Sequence, residues 1–153
     1  MDYIEKYGKD ILESSNMNLS KKFIQHGDTS VYTHSINVCE MCIKIASKLN
    51  INVDYKSLVR GSLLHDYFLY DWHVKDKSHK LHGFRHAKVA LNNASKEYKL
   101  NKIEKNMIYT HMFPLNLRIP RYKESIILCI ADKICATKET IGILFYKIKY
   151  IFD

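Results

Sequence analysis

Apolar residues recur at the three- and four-residue spacing of a helix along almost the whole chain, and alternating runs of β-branched residues are nearly absent, which predicts an all-α fold. The first stripe joins Ile4, Tyr7, Ile11 and Leu12 in a helix from about Asp2 to Glu13, ending at Ser14-Ser15-Asn16. A short helix over about Leu19 to Gln25 follows. Gly27-Asp28-Thr29-Ser30 then supplies a turn and a capping residue for a long helix to about Leu49, with Val38, Met41, Cys42, Ile45 and Leu49 inward. Asp54 caps a helix that carries Leu58 and Gly61 on the face reaching His65. Tyr67 to Lys80 mixes aromatic and charged residues without a period and reads as a long loop or lid. Helical spacing returns over His82 to Tyr98 through Ala87, Ala90, Leu91 and Ala94. A capping-box-like pair, Asn101 and Glu104, opens a helix with Met107, Ile108 and His111 that Pro114 stops. After Pro120 a helix carries Leu128, Cys129, Asp132 and Cys135 past Ala136, and an amphipathic stretch from Glu139 to Phe152 completes a bundle of about six to seven helices. With two prolines, five glycines and no repeat or linker, residues 1–153 are expected to form one domain.

A hydrophobic content of 46% suffices for a continuous core. No apolar run approaches the roughly 20 residues of a membrane span, and the first fifteen positions carry Asp2, Glu5, Lys6, Lys9, Asp10 and Glu13, so a cytoplasmic protein without membrane attachment is expected. Cys39, Cys42, Cys129 and Cys135 fall inside predicted helices and read as core thiols; Cys39-x-x-Cys42 has no second knuckle to complete a zinc or redox site. The net charge of +8 favours an anionic partner. Nucleic acid is disfavoured, because 20 of the 24 basic residues are lysines scattered over the chain and only four are arginines.

Against this apolar patterning the polar exceptions stand out. His34, His65, the pair His82 and His86, His111 and Asp132 each occupy the inward stripe of a different predicted helix. One inward histidine is ordinarily a hydrogen-bonded core residue, but an unpaired buried polar group costs about 1–3 kcal/mol, and five helices making the same exception need a shared compensation. A bound cation supplies it, since imidazole nitrogens and carboxylate oxygens are the common ligands of Fe, Mn, Ni, Co and Zn. At a helix end the adjacent His65 and Asp66 can reach in two directions, with Asp66 bridging two ions. That arrangement suits in-line attack of a metal-activated water or hydroxide on a phosphate.

These residues resemble the HD superfamily of metal-dependent phosphohydrolases, whose pattern is a His, a His-Asp pair and a distant Asp. Here they are His34 in Val-Tyr-Thr-His-Ser, His65-Asp66 in Gly-Ser-Leu-Leu-His-Asp, and Asp132 in Ile-Ala-Asp-Lys, over roughly residues 30 to 138. Leu81-His82-Gly83-Phe84-Arg85-His86-Ala87 followed by His111 is further similar to the two extra histidines of dinuclear members, including bacterial enzymes that split diadenosine tetraphosphate into two ADP. The resemblance implies one or two divalent transition-metal ions, one held by His34, His65, Asp66 and Asp132 and the other by Asp66, His82 and His111. His82 and His86 lie one helical turn apart and either could be the ligand; the motif favours His82, with His86 beside the ions contacting substrate or orienting a ligand. Lys133 is a candidate for phosphate or for a carboxylate partner. Arg85, Lys75, Lys77, Lys80, Arg118 and Arg121 are candidates for a phosphate-facing rim, each set against an ordinary place on a solvated surface.

Departures from better-known branches narrow the substrate. His-Asp-x-Gly-Lys and Gly-Tyr-Pro are both absent, which disfavours a cyclic-dinucleotide phosphodiesterase of that type. Position 69 is Leu where deoxynucleotide monophosphatases of the superfamily place a water-activating Glu, and Asp71 could substitute from the loop. Tyr67-Phe68-Leu69-Tyr70-Asp71-Trp72-His73 looks instead like a small bacterial subgroup of phosphohydrolases. Its aromatic residues would either stack on a base or pack as a plug under the loop. The expected function is hydrolysis of a phosphate ester or phosphoanhydride of a small phosphorylated substrate, a nucleotide in particular, by a metal-bound hydroxide, with Asp66 as catalytic bridging ligand. The rival is a non-catalytic nucleotide- or metal-binding HD module, against which the full set of ligand positions argues. A homodimer is compatible with either.

Overall fold

The computed structural model describes residues 2–71 and 82–152, with side chains described through residue 142 except those of residues 82 and 84. Its elements are α1 (Tyr3–Leu12), α2 (Ser15–Leu19), a 3₁₀ turn (Ser20–Lys22), β1 (Ile24–His26), β2 (Thr29–Ser30), α3 (Val31–Lys48), α4 (Tyr55–Leu64), α5 (His82–Glu97), α6 (Lys102–Thr110) and α7 (Lys123–Phe152). The all-α expectation holds. α3 and α4 pack together at the centre, with α7 against α3, α1 and α6 against α4, and α6 linking α5 to α7. None of the described helices is long and apolar enough to cross a membrane.

The helix ends follow local chemistry. Asp2, Ser14, Ser30 and Asp54 cap α1, α2, α3 and α4 through side-chain oxygens that accept from first-turn N–H groups. Asn101 and Glu104 close the expected capping box on α6 at 2.9 and 2.8 Å. The core divides around the α3–α4 pair. Ile11, Val59, Leu63, Ala90, Ala94 and Ile108 fill one side; Val38, Cys42, Leu58, Met107, Leu128 and Ala131 fill the other. All four cysteines are buried and free.

Three sequence readings need correction. The segment read as a helix over Leu19 to Gln25 is the end of α2, the 3₁₀ turn and β1, which pairs antiparallel with β2. Gly27 makes the reversal at a φ of 62°, which glycine adopts without steric cost. A strand of three residues is too short to show a period. α1 ends ahead of Ser14-Ser15-Asn16 as expected, and Ser14 there also caps the next helix, α2. The two helices expected after Pro120 are one, α7, since nothing between Ala136 and Glu139 interrupts the backbone hydrogen bonding. Leu49, expected inward, is 67% exposed: α3 ends at Lys48, and Asn50 takes the left-handed conformation at a φ of 51°.

Gly61 sets the spacing between α4 and α6. A Cβ there would lie 2.5 Å from Met107 Sδ and 3.1 Å from Met107 Cβ, so no larger side chain fits without moving α6. Gly61→Val is expected to destabilise the protein by about 1–3 kcal/mol through overpacking, outweighing the better helix propensity of valine. Urea unfolding measures it, and a midpoint at or above wild type would show that α6 yields freely.

Candidate metal centre

Three helices begin or end at one point. His34 lies in the first turn of α3, His65 is the C-cap of α4, and His111 is the C-cap of α6. Asp66 follows α4 directly, His86 comes from the second turn of α5, and Asp132 from α7. All six are buried. The helix ends themselves explain how two of the rings are aimed. His65 Nδ1 lies 2.7 Å from Ser62 O and His111 Nδ1 lies 2.8 Å from Ile108 O, so each ring donates to a carbonyl that its own helix end leaves unpaired. The donor nitrogen is thereby fixed as Nδ1, and Nε2 is turned into the site.

Asp66 is the hub. Its Oδ2 is 3.3 Å from His65 Nε2 and 3.8 Å from His34 Nε2, and its Oδ1 is 3.3 Å from His86 Nε2 and 3.4 Å from His111 Nε2. Asp132 Oδ1 stands 3.1 Å from His34 Nε2 and 3.7 Å from His65 Nε2. His86 and His111 face each other, Nε2 to Nε2, at 2.9 Å. The carboxylate therefore has one oxygen for each of two histidine pairs.

The electrostatics show what the cluster lacks. Burial pushes the His34 ring down, but hydrogen bonds to Asp132 and Glu139 outweigh it and raise its pKa to about 9. Burial acts on His65 in the same way, and the Asp66 and Asp132 carboxylates lift it well above the usual imidazole range. Burial would raise Asp66 and Asp132; instead the charge of His65 and the surrounding imidazoles hold Asp66 well below the usual carboxylate range, and His34 and His65 do the same for Asp132. His111 is lowered by burial and by the nearby His86. Two buried carboxylates thus draw positive charge inward, and protons on imidazoles meet that demand poorly: His65 Nε2 and Asp66 Oδ1 are buried with no hydrogen-bond partner.

A divalent cation fits this arrangement. Within the described residues, His34, His65 and Asp66 form one group whose ligand atoms all lie within 4.8 Å of one another, and Asp66, His86 and His111 form a second. Neutral imidazole and carboxylate donors suit several transition ions. The first group brings together residues that the sequence placed with one ion, and Asp132 joins it through His34 and His65. The second joins His86 and His111 to Asp66, so of the two α5 candidates His86 is the one whose side chain is described here. His82 opens α5 one turn earlier, and its side chain lies outside the described residues.

Lys133 forms no ion pair with a carboxylate among the described residues. Its ammonium donates to His111 O at 3.3 Å and Cys129 O at 3.2 Å, tying α7 to the end of α6. Arg85 is exposed on α5. Arg118 lies over the Tyr109 ring at 4.0 Å, and the main-chain N–H of Arg121 donates to Asn106. Lys75, Lys77, Lys80, Trp72 and His73 lie outside the described residues. Tyr67 and Phe68 are buried, and Tyr67 donates to Glu97 at 2.8 Å, so these two belong to the packed plug.

Three site residues escaped the sequence reading. Glu139, two helical turns beyond Asp132 on α7, accepts from His34 Nδ1 at 2.8 Å and from Asn37 at 3.0 Å, and so fixes the third inward Nε2. Its seven-residue spacing from Asp132 was the available signal. Gln25 donates to Asp66 Oδ2, and His26 sets its ring 5.1 Å from that of His34. Both line a cleft of about 230 Å³ with Asp66, Gly83, His86, His111, Met112 and Asp132. Reading Leu19 to Gln25 as a helix hid Gln25, and a three-residue strand gave His26 no period to reveal it.

Over residues 31–137 the chain matches the family model described as HD domain. No curated protein and no solved structure matches it. Members of that family are generally metal-dependent hydrolases, which agrees with buried His/Asp groups able to hold a cation. The match spans more than half of the chain and contains His34, His65, Asp66, His86, His111 and Asp132, so the chain belongs to the HD domain family.

Proposed function

We propose that the protein is a phosphohydrolase that cleaves a phosphate ester or phosphoanhydride, with a nucleotide as the substrate class. The observation that carries this is the convergence of four inward Nε2 atoms on the two oxygens of one buried carboxylate. In this reading His34, His65, Asp66 and Asp132 hold one divalent ion and Asp66, His86 and His111 a second, with His86 taking the place expected of His82. Ions so held lower the pKa of bound water and polarise a phosphoryl oxygen.

The chain's own residues do the positioning. Ser62 O, Ile108 O and Glu139 fix the rings of His65, His111 and His34, and so preorganise the site before substrate arrives. The cleft over Asp66 is the path by which a phosphate reaches it. Tyr70, half-buried and 5.0 Å from the Phe68 ring, which itself lies 5.9 Å from that of His86, is a candidate to meet a base.

The test is a panel of nucleotides incubated with protein loaded with Mn, Fe, Co, Ni or Zn. Release of phosphate or of a shorter nucleotide, lost with chelator and restored by the ion, is the expected result. Nucleotide binding without turnover at full metal occupancy would place the protein among binding modules instead.

A further inference from the structure

The β1–β2 hairpin brings a neutral amide into a site made of ionisable groups. Gln25 is 6% exposed, and its strand is held by pairing with β2 and by the 2.8 Å bond from Val31 N–H to Phe23 O that joins the hairpin to α3. Its side chain meets Asp66 Oδ2. A carboxylate oxygen only accepts, so the donor is the Gln25 amide N–H and the other atom, Oε1, is a carbonyl. That Oε1 is buried with no partner among the described residues, and Gln25 lines the cleft. Core packing alone gives no reason to bury a half-satisfied amide there.

We propose that Gln25 is a positioning residue for the metal centre, one whose N–H bond to Oδ2 determines how the Asp66 carboxylate is divided between the two ligand groups. This rests on the reading of the cluster as a metal site. Among the described residues, four imidazoles are the other side chains that approach the Asp66 carboxylate. Each of them can donate to the carboxylate only while its Nε2 carries a proton, and none can once that nitrogen ligates a cation. Among the described residues that approach the carboxylate, Gln25 is the donor that neither a proton nor a cation removes. Without it the carboxylate can turn about its terminal bond, and Oδ1 and Oδ2 are no longer assigned to separate pairs.

The test uses the full chain and Co²⁺, titrated against a competing chelator and followed by visible absorption. Gln25→Met keeps the length of the side chain and removes the donor together with the unpaired carbonyl. It is expected to melt close to wild type without cation, to bind cobalt about 10–100-fold more weakly, and to show a changed cobalt spectrum. A folded Gln25→Met variant with cobalt affinity within about twofold of wild type and the same spectrum overturns the proposal, because a merely structural glutamine would behave in that way. If Gln25→Met fails to fold, Gln25→Asn replaces it. Its shorter amide is expected to weaken cobalt in the same direction, and wild-type binding by that variant overturns the proposal equally. Wild-type protein that takes up no cobalt would overturn the metal reading itself, a separate result.

Discussion

Asp66→Asn is expected to leave a folded protein that binds neither cation and hydrolyses nothing. The substitution changes no volume, so the helices around the site have no cause to repack. It removes the one carboxylate that both ligand groups share. It also turns an amide N–H₂ toward either the His65/His34 pair or the His86/His111 pair, where a lone pair is required. Loss of an outer-shell partner already costs roughly 10–100-fold in metal affinity, and a shared ligand should cost more at both positions. Elemental analysis after dialysis should find less than about a hundredth of the wild-type content, with turnover down at least in proportion. Asp66→Asn protein that retains stoichiometric metal and activity would remove Asp66 from the centre of the mechanism.

Much of this site was legible because burial and polarity conflict on predicted helices. His34 shares a stripe with Val38, and Asp132 shares one with Leu128 and Cys135, so helical period alone turned them inward. His65 and His111 end their helices, a place that apolar period cannot resolve, and the geometry there comes from Nδ1 bonding back to a carbonyl of the same helix. His82 and His86 lie one turn apart on α5, a spacing that cannot separate them; the structure describes His86, 3.3 Å from Asp66, and the His82 side chain lies outside the described residues. Gln25 and His26 were illegible. Their strand is too short to show alternation, and the contact of Gln25 with Asp66 joins positions 41 residues apart. Glu139 was hidden by a helix break that the structure does not contain.

The same six residues make opposite demands on protons in the two states of the site, and this predicts how stability changes with pH. Without cation, the His34 pKa is raised from 6.5 to about 9, against burial, by Asp132 and Glu139. A folded pKa above the unfolded one means stability that is fully present below pH 6.5 and is lost as pH rises through about 9. His65, raised in the same direction, adds to that loss. Asp66 and Asp132 are depressed, so their contribution is present above the ordinary carboxylate pKa of 3.8 and does not change over this window. The cation-free protein should therefore lose stability from pH 6.5 to 9. Cation binding needs the Nε2 protons gone, so its affinity rises over the same interval. At a free concentration of about a thousand times Kd, binding adds about 4 kcal/mol to stability, and the addition grows as Kd falls. Melting curves with and without Mn²⁺ should then diverge steadily from pH 6.5 to pH 9, while His34→Gln, which removes the titrating ring, should flatten the cation-free curve. Parallel curves across that range would mean that protons and cations do not compete for these nitrogens, and the cluster would have to be read as a buried hydrogen-bond network instead.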